Sequence, residues 1–364
     1  MTEWKEYKLG EIASFRTGKL NSNAAVENGK YPFFTCSPIT LSIDEYAFDQ
    51  KAILLAGNNA EGNFCIKYYE GKFNAYQRTY IIESNESKCN LKFLYYSLIL
   101  CLQEFKNISQ GTSTRFLTAV ILNNFKLMLP SLDTQRRIAA ILSSLDDKID
   151  LLHRENATLE QMAETLFRQW FVVEAKEEWE EKPLSSIAIF LNGLACQKYP
   201  PKNEIDKLPV LKIRELSSGI GNDSDWATTD VGVEYIVHAG DVIFAWSASL
   251  MVKIWDGEDC ILNQHLFKVT SDKYPKWFYY FWCKHHLDEF ISIAQSHATT
   301  MGHIKRNDLD TAMVLVPSDE ELLSMTAQME GLLRKMENNN EQINTLIQTR
   351  DGLLPRLMNN EVKI

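Results

Sequence analysis

The sequence predicts a mixed α/β (α+β) protein in which two similar α/β globules alternate with two long helices, and three observations predict it. Trp4, Leu9, Ile12, Ala13, Phe15 and Gly18 recur 175 positions later as Trp179, Leu184, Ile187, Ala188, Phe190 and Gly193. Gln77, Thr112, Leu122, Leu129, Pro130 and Ser131 stand 187 positions before Gln264, Thr299, Leu309, Val316, Pro317 and Ser318, so the second copy carries a small insertion. Each copy is followed by a heptad run of apolar residues. The expected segments are a globule over 1–130, a helix over 131–175, a globule over 176–316 and a helix over 317–364. A duplicated globule with a built-in spacer is a device for holding two similar surfaces at a fixed distance.

In the first globule, Ala52–Ala56 and Thr79–Glu83 read as strands and Lys92–Phe105 as an aromatic-rich helix. In the second, Asp241–Trp246 and His265–Val269 read as strands and Lys276–Ile293 as a helix. These short elements predict curved sheets, mainly antiparallel or mixed. The first long helix places Ile138, Leu142, Leu145, Ile149, Leu152, Asn156, Leu159, Ala163, Leu166 and Trp170 at alternating spacings of four and three, the seam of a coiled coil. Met325, Met329, Leu332, Met336, Asn339, Ile343, Leu346, Arg350, Leu353 and Leu357 repeat that seam in the second. Ser131 or Asp133 can cap the first helix, and Ser318 with Glu321 forms a capping box at the second. Pro355 should end or kink the second helix near its last turn. If the helices pair antiparallel they form a pseudo-two-fold rod, and Asn156 and Asn339 can meet in a polar layer that fixes register. Ile138 to Trp170 advances about 48 Å, against the 34–36 Å (roughly) at which DNA repeats a groove face.

With 364 residues, 45% hydrophobic and 24% charged, the composition is that of soluble globular material. No secretory signal is visible, the longest apolar run (Phe93 to Leu102) is about half the length that crosses a bilayer, and a cytoplasmic protein without membrane contact is expected. Seven scattered cysteines point to free thiols. The net charge of −10 divides along the four segments as +2, −3, −6 and −3. A protein that grips DNA alone is normally basic, so either nucleic acid is not its ligand or a more basic partner supplies much of the backbone grip. No P-loop, dinucleotide fingerprint, zinc-protease motif or nucleophile elbow is present, and Cys260 with His265, or Cys283 with His285 and His286, lack metal-ligand spacing. The chain reads as non-catalytic, with no cofactor and no metal.

Polar residues gather in matching loops. Ser109 to Arg115 (Ser-Gln-Gly-Thr-Ser-Thr-Arg) precedes an amphipathic stretch, and Ser296 to His303 is its counterpart. A Ser/Thr-rich loop entering a helix offers hydroxyls and backbone N–H groups to a phosphate.

Residues 130–150, Pro-Ser-Leu-Asp-Thr-Gln-Arg-Arg-Ile-Ala-Ala-Ile-Leu-Ser-Ser-Leu-Asp-Asp-Lys-Ile-Asp, closely resemble the start of the first spacer helix in specificity subunits of type I restriction-modification systems. The Gly-Thr-Ser-Thr loop at 111–114, the opening Trp-x4-Leu-x2-Ile pattern and the four-segment order agree, so the resemblance covers essentially the whole chain. It implies that each globule is a target recognition domain reading one half of a bipartite sequence in double-stranded DNA. It implies also that the helices space the two domains and dock methylation subunits, two of them, which in turn recruit restriction subunits. The second helix departs from the pattern, beginning Ser-Asp-Glu-Glu-Leu-Leu-Ser-Met, and the second loop reads Thr-Thr-Met-Gly-His. On this reading the contacts in the first globule come from Arg16, Lys19, Asn58, Asn59, Arg78, Thr112, Ser113, Thr114 and Arg115. In the second they come from Gln197, Lys198, Lys212, Arg214, Trp246, Ser247, Gln264, His265, Thr299, Thr300, His303 and Lys305. Arg, Asn and Gln suit bidentate base contacts, while Ser, Thr and Lys more often position phosphates. The alternative of a different class is a coiled-coil interaction scaffold that does not bind DNA, for which two polar loops at matching positions serve no purpose.

Overall fold

The computed structural model describes residues 4–221, 223–296 and 302–362. It divides into two compact units, one formed by Met1–Leu151 with Asn344–Ile364, the other by Leu152–Ile343. Each globule therefore incorporates a part of both long helices.

In the first unit a six-stranded sheet runs in the order Ala13–Thr17, Thr79–Ser84, Phe48–Ala56, Ile66–Ala75, Tyr31–Phe34 and Leu41–Ile43. All pairings are antiparallel except that of Tyr31–Phe34 with Ile66–Ala75. The expected apolar strand 52–56 is the C-terminal part of the longer Phe48–Ala56 and is buried on both faces. Ile53 and Leu55 join Ile82 and the helical Phe93, Leu94 and Leu98 in one core, whereas Ala52 and Leu54 join Phe34, Phe73 and Ile81 in another. Alternation of side chains across a strand converts one continuous apolar run into two cores. The helix expected over 92–105 is two, Leu91–Leu100 and Leu102–Ile108, and the first is capped by Asn90, whose side chain accepts from the Phe93 N–H at 3.1 Å.

The second unit repeats this plan with the sheet split. One four-stranded sheet has the order Ile189–Asn192, Leu266–Thr270, Val242–Ala245, Met251–Ile254. The other has the order Trp226–Thr228, Lys207–Leu211, Cys260–Leu262, Ile236–Val237 and includes one parallel pair. The helical stretch expected over 276–293 is again two helices, Lys276–His285 and Leu287–Ser296, the first bearing seven consecutive buried residues from Trp277 to Cys283.

Leu132–Arg168 forms the first long helix, continued by a π turn over Gln169–Val173, and Asp319–Met358 forms the second with Pro355 inside its final turn rather than ending it. Ser131 Oγ accepts from the Thr134 N–H at 3.3 Å, and Ser318 and Glu321 exchange the reciprocal bonds of a capping box. The helix segments run antiparallel within each unit. In the first, Arg350 reaches Asp146 at 2.8 Å while Leu354 and Leu357 share a core with Ile138 and Leu142. In the second, Asn156 contacts Asn339 and Asn340 while Ala163 and Phe167 share a core with Leu322 and Met329. The expected layer forms: Asn339 Nδ2 donates to Asn156 Oδ1 at 2.9 Å, and Asn156 Nδ2 donates to Asn340 Oδ1 at 2.6 Å.

The two helix starts are anchored by different chemistry. Gln135 is buried; its Oε1 accepts from the Asn90 N–H at 2.9 Å and its Nε2 donates to the Lys88 and Pro130 carbonyls at 3.1 and 3.0 Å. At the second helix Glu321 takes over, accepting from the Lys176 ammonium, from Ser318 Oγ at 2.8 Å and from the Trp179 indole at 3.0 Å. The Lys176 and Ser318 bonds hold its carboxyl at about 2.

Two outcomes are expected. Gln135→Leu strands three backbone groups, at Asn90, Lys88 and Pro130, and should lower the unfolding free energy of the intact chain by about 1–3 kcal/mol in urea titration. Because the Glu321 carboxyl sits below its unfolded value, its contribution is present above about pH 4.5 and is lost as pH falls towards about 2. The melting-temperature gap between wild type and Glu321→Gln should therefore be widest near neutrality and close over that acidic range; a gap independent of pH contradicts the assignment.

Candidate nucleic-acid interface

The recurrent glycines mark a close crossing of backbone in both copies. A Cβ on Gly18 would stand 1.8 Å from the Ala75 carbonyl oxygen, and one on Gly193 would stand 2.3 Å from that of Asn263. Only glycine allows this approach. It aligns a common frame: Gln77 N–H donates to the Leu20 carbonyl at 2.9 Å in the first unit, and Gln264 N–H to the Leu194 carbonyl at 2.8 Å in the second. The frame continues in Gly57 N–H to the Arg78 carbonyl (2.8 Å) and Leu117 N–H to the Gly57 carbonyl (2.9 Å). Its counterparts are Trp246 N–H to the His265 carbonyl (3.4 Å) and Ile304 N–H to the Trp246 carbonyl (3.1 Å). Gly57 therefore corresponds to Trp246, Arg78 to His265 and Leu117 to Ile304.

On this frame the first unit gathers most of its sequence candidates. The short strand Asn58–Asn59 pairs with Arg115–Phe116, setting Asn58 opposite Phe116 and Asn59 opposite Arg115. Arg78 places its guanidinium 5.3 Å from the centroid of the Phe116 ring, a cation–π distance. Asn58 accepts from the Cys36 thiol at 3.0 Å, and Asn59 turns its side chain onto the N–H groups of Glu61 and Asn63. Thr112, Ser113 and Thr114 occupy a tight loop closed by Gln110 and Phe116, which exchange backbone bonds of 3.1 and 2.7 Å. Gly111 takes φ +111°, where a Cβ would collide with the Thr114 carbonyl. The loop does not cap a helix as its Ser/Thr content suggests. The next helix, Ala119–Asn124, is capped by Thr118, so hydroxyls and the Arg115 side chain, which also donates to the Ser109 carbonyl at 3.2 Å, are what the loop presents. Arg16 lies on the strand Ala13–Thr17, bound to Gln50 and to Glu83 (2.7 Å), and Lys19 is exposed just beyond that strand.

The second unit assembles a smaller set. Ser247 bridges to His303, and its hydroxyl lies 3.1 Å from His265 Nδ1; Gln264 Nε2 lies 3.4 Å from His265 Nε2. Trp246 stacks on Phe267 with centroids 5.6 Å apart and donates its indole N–H to Asn192 Oδ1 at 3.1 Å. Lys305 precedes the helix Arg306–Thr311 and its N–H binds Asp308. Thr299 and Thr300 lie outside the described residues. Gln197 and Lys198 sit on a 3-10 turn, and Gln197 lines a cleft with Lys212 and Trp226. The charges of Lys212 and Arg214 are engaged within the chain, the first by Asp225 and the second by Glu215 (2.7 Å) and Asp223 (2.6 Å). Glu215 is buried and is bound by Ser224 as well. The sequence reading missed Asn192, Phe116 and Gly57; the position of Gly57 opposite Trp246 is hidden by the insertion.

Two repeats of one backbone frame, each presenting a polar surface and each built onto segments of paired helices, define a duplicated recognition protein. The family pattern described as "Type I restriction modification DNA specificity domain" matches residues 1–161 and 176–348, and the chain belongs to that family. It is a specificity subunit, and that family is non-catalytic. It is 38% identical over 187 residues to the type I restriction enzyme EcoDI specificity subunit of Escherichia coli, a match that spans 50% of this chain and 40% of that relative. It is 22% identical to the HindI specificity subunit of Haemophilus influenzae, with all of both chains covered. The crystal structure of a type I restriction-modification S subunit from M. genitalium shares the fold, with a TM-score of 0.58 at 14% identity and coverage of 98% of this chain and 96% of that one.

Gly111→Ala should distort the 111–115 loop without unfolding the core. The expected result is faster amide exchange confined to the loop and its partner strand Asn58–Asn59, with the strand Phe48–Ala56 unchanged.

Proposed function

We propose that this chain is the sequence-reading subunit of a cytoplasmic type I restriction-modification complex, each globule reading one half of a bipartite duplex target. The long helices set the spacing of the halves and dock two methylation subunits, and restriction subunits join through those. The observation that carries the reading is one backbone frame used twice with different side chains on it: Asn58, Asn59, Arg78 and Arg115 in one copy, Trp246, Ser247, His265 and His303 in the other. A shared frame with divergent polar residues is what two readers of different base sequences need, since phosphate contacts position a protein and base contacts specify.

The test is co-expression with the candidate methylation subunit and mapping of modified adenines across host DNA. A two-part motif with a fixed unspecified gap, absent without this chain, is expected; a stable complex with no motif would favour the scaffold alternative. Replacing 176–316 by another recognition domain should alter one half of the motif only. Arg115→Ala should weaken DNA binding by the assembled complex about tenfold, the low end of a lost specific contact of about 1–3 kcal/mol, and leave assembly intact.

A further inference from the structure

An open cleft of 330 Å³ in the first unit is lined by Thr17, Gly57, Gln77, Arg78, Tyr80 and Phe116, with Leu117, Thr118 and Ala119 at its end. The shared frame identifies what the second unit puts in the same place. Thr17 pairs with Tyr80 across adjacent strands, and Asn192 pairs with Phe267 in the same way. With Gly57 corresponding to Trp246, the cleft of one copy maps onto the indole of the other. Trp246 lies on Phe267 at an interplanar angle of 27° and is held at its edge by Asn192. The second unit thus fills with its own bicyclic ring a space that the first leaves open. The backbone has adjusted to suit: the bond from residue 57 to 78 is 2.8 Å, whereas that from 246 to 265 is 3.4 Å, and a Cβ on Gly57 would stand 2.4 Å from the Arg78 carbonyl.

We propose that this cleft receives a flat heterocycle of the nucleobase kind, taken from the bound duplex as a base turned out of its stack. The inference rests on the DNA-reading function above and names a site for it. The walls suit such a guest. Tyr80 and Phe116 offer aromatic surface, and Arg78 is held over Phe116. Gln77 supplies an amide and Thr17 a hydroxyl for the hydrogen-bonding edge that distinguishes a base from an indole. The Gln77 amide is already oriented, donating to Asn21 Oδ1 at 2.7 Å. A free nucleoside carries the same ring, and the experiment separates the two sources.

The assembled complex is titrated with duplexes of its mapped motif in which an abasic residue replaces, in turn, the partner of each base in the half read by the first globule. Removing the partner lowers the cost of extrusion, so one position should bind about tenfold or more tighter than the intact duplex. Two plugged forms should abolish that gain and weaken binding of the intact duplex about ten- to a hundredfold, the value of a lost base–ring stack. The first is Thr17→Asn/Gly57→Trp/Tyr80→Phe, which installs the residues of the second unit. The second, Ala119→Phe, fills the cleft from an exposed helix position and spares the backbone at Gly57. Adenosine raising the melting temperature of wild type but not of Ala119→Phe, with no abasic gain, assigns the site to the free nucleoside. No abasic gain and no adenosine response, or a gain that survives in Ala119→Phe, overturns the proposal. The absence of any mapped motif would instead overturn the DNA-reading function beneath it.

Discussion

A single buried amide governs how the first globule is joined to its helix. All three hydrogen bonds of Gln135 go to backbone groups of the globule and of the turn that enters the helix, so the first turn of Leu132–Arg168 cannot rotate without stranding them. Breaking them would leave the buried Gln135 amide without partners, and the penalty for a buried group left unpaired exceeds the net value of the bond itself. The second copy reaches the same rigidity by charge: Leu322 occupies the corresponding place, and the clamp moves to Glu321 with Lys176 and Trp179. A recognition surface has a defined direction only if its junction with the supporting helix is stiff. The departure of the second helix from the Gln-Arg-Arg-Ile form is therefore a change of anchoring chemistry and not a loss of anchor.

Much of this was legible in the sequence because it rests on local rules. The heptad seams, the capping residues and the repeated glycines each carry a steric or hydrogen-bonding requirement that a residue type reveals on its own. The breaks at Cys101 and His286 were not legible: neither is marked by glycine or proline, and both residues stay in the right-handed helical region with φ near −88° and −84°. They are imposed by packing, as is the division of the second sheet into two. The contact candidates divide along the same line. Asn58, Asn59 and Arg115 suit the role by type and are brought together by pairing of two short strands, with Arg78 over Phe116, whereas Lys212 and Arg214, equally suitable by type, are engaged by acidic neighbours at Asp225, Glu215 and Asp223 that a one-dimensional reading does not weigh. Pro355 shows the limit of a rule that is correct. Its missing N–H costs one bond, but three more helical residues follow because Leu354 and Leu357 are held in the core.

The polar layer in the helix pair of the second unit is a constraint of a different kind. Asn339 is fully buried; its amide nitrogen binds Asn156 and Glu155, and its Oδ1 has no partner. An apolar pair of similar volume would be more stable, so the layer is not there for stability. A slip of one heptad would set the Asn339 amide against Ile149 or Ala163 and leave its donors unpaired as well. The layer thus favours the observed register over slipped ones rather than adding to stability.

The charge distribution then explains how an acidic chain can read DNA at all. In the second unit, which carries the most negative segment, Lys202, Lys207, Lys212, Arg214, Lys253, Lys268, Lys276 and Lys284 are all engaged by carboxylates of the same chain. A phosphate contact at any of these cations would first require its ion pair to be given up. What the frame presents instead around Ser247 is a set of hydroxyl, imidazole, amide and indole groups, which distinguish base edges but release few counterions. Recognition and grip are separable energies, and a surface of this composition is suited to the first more than to the second. An isolated chain of this kind should bind DNA weakly and with a shallow salt dependence, and the salt dependence should steepen on assembly by roughly one logarithmic slope unit for each phosphate that the partner neutralises.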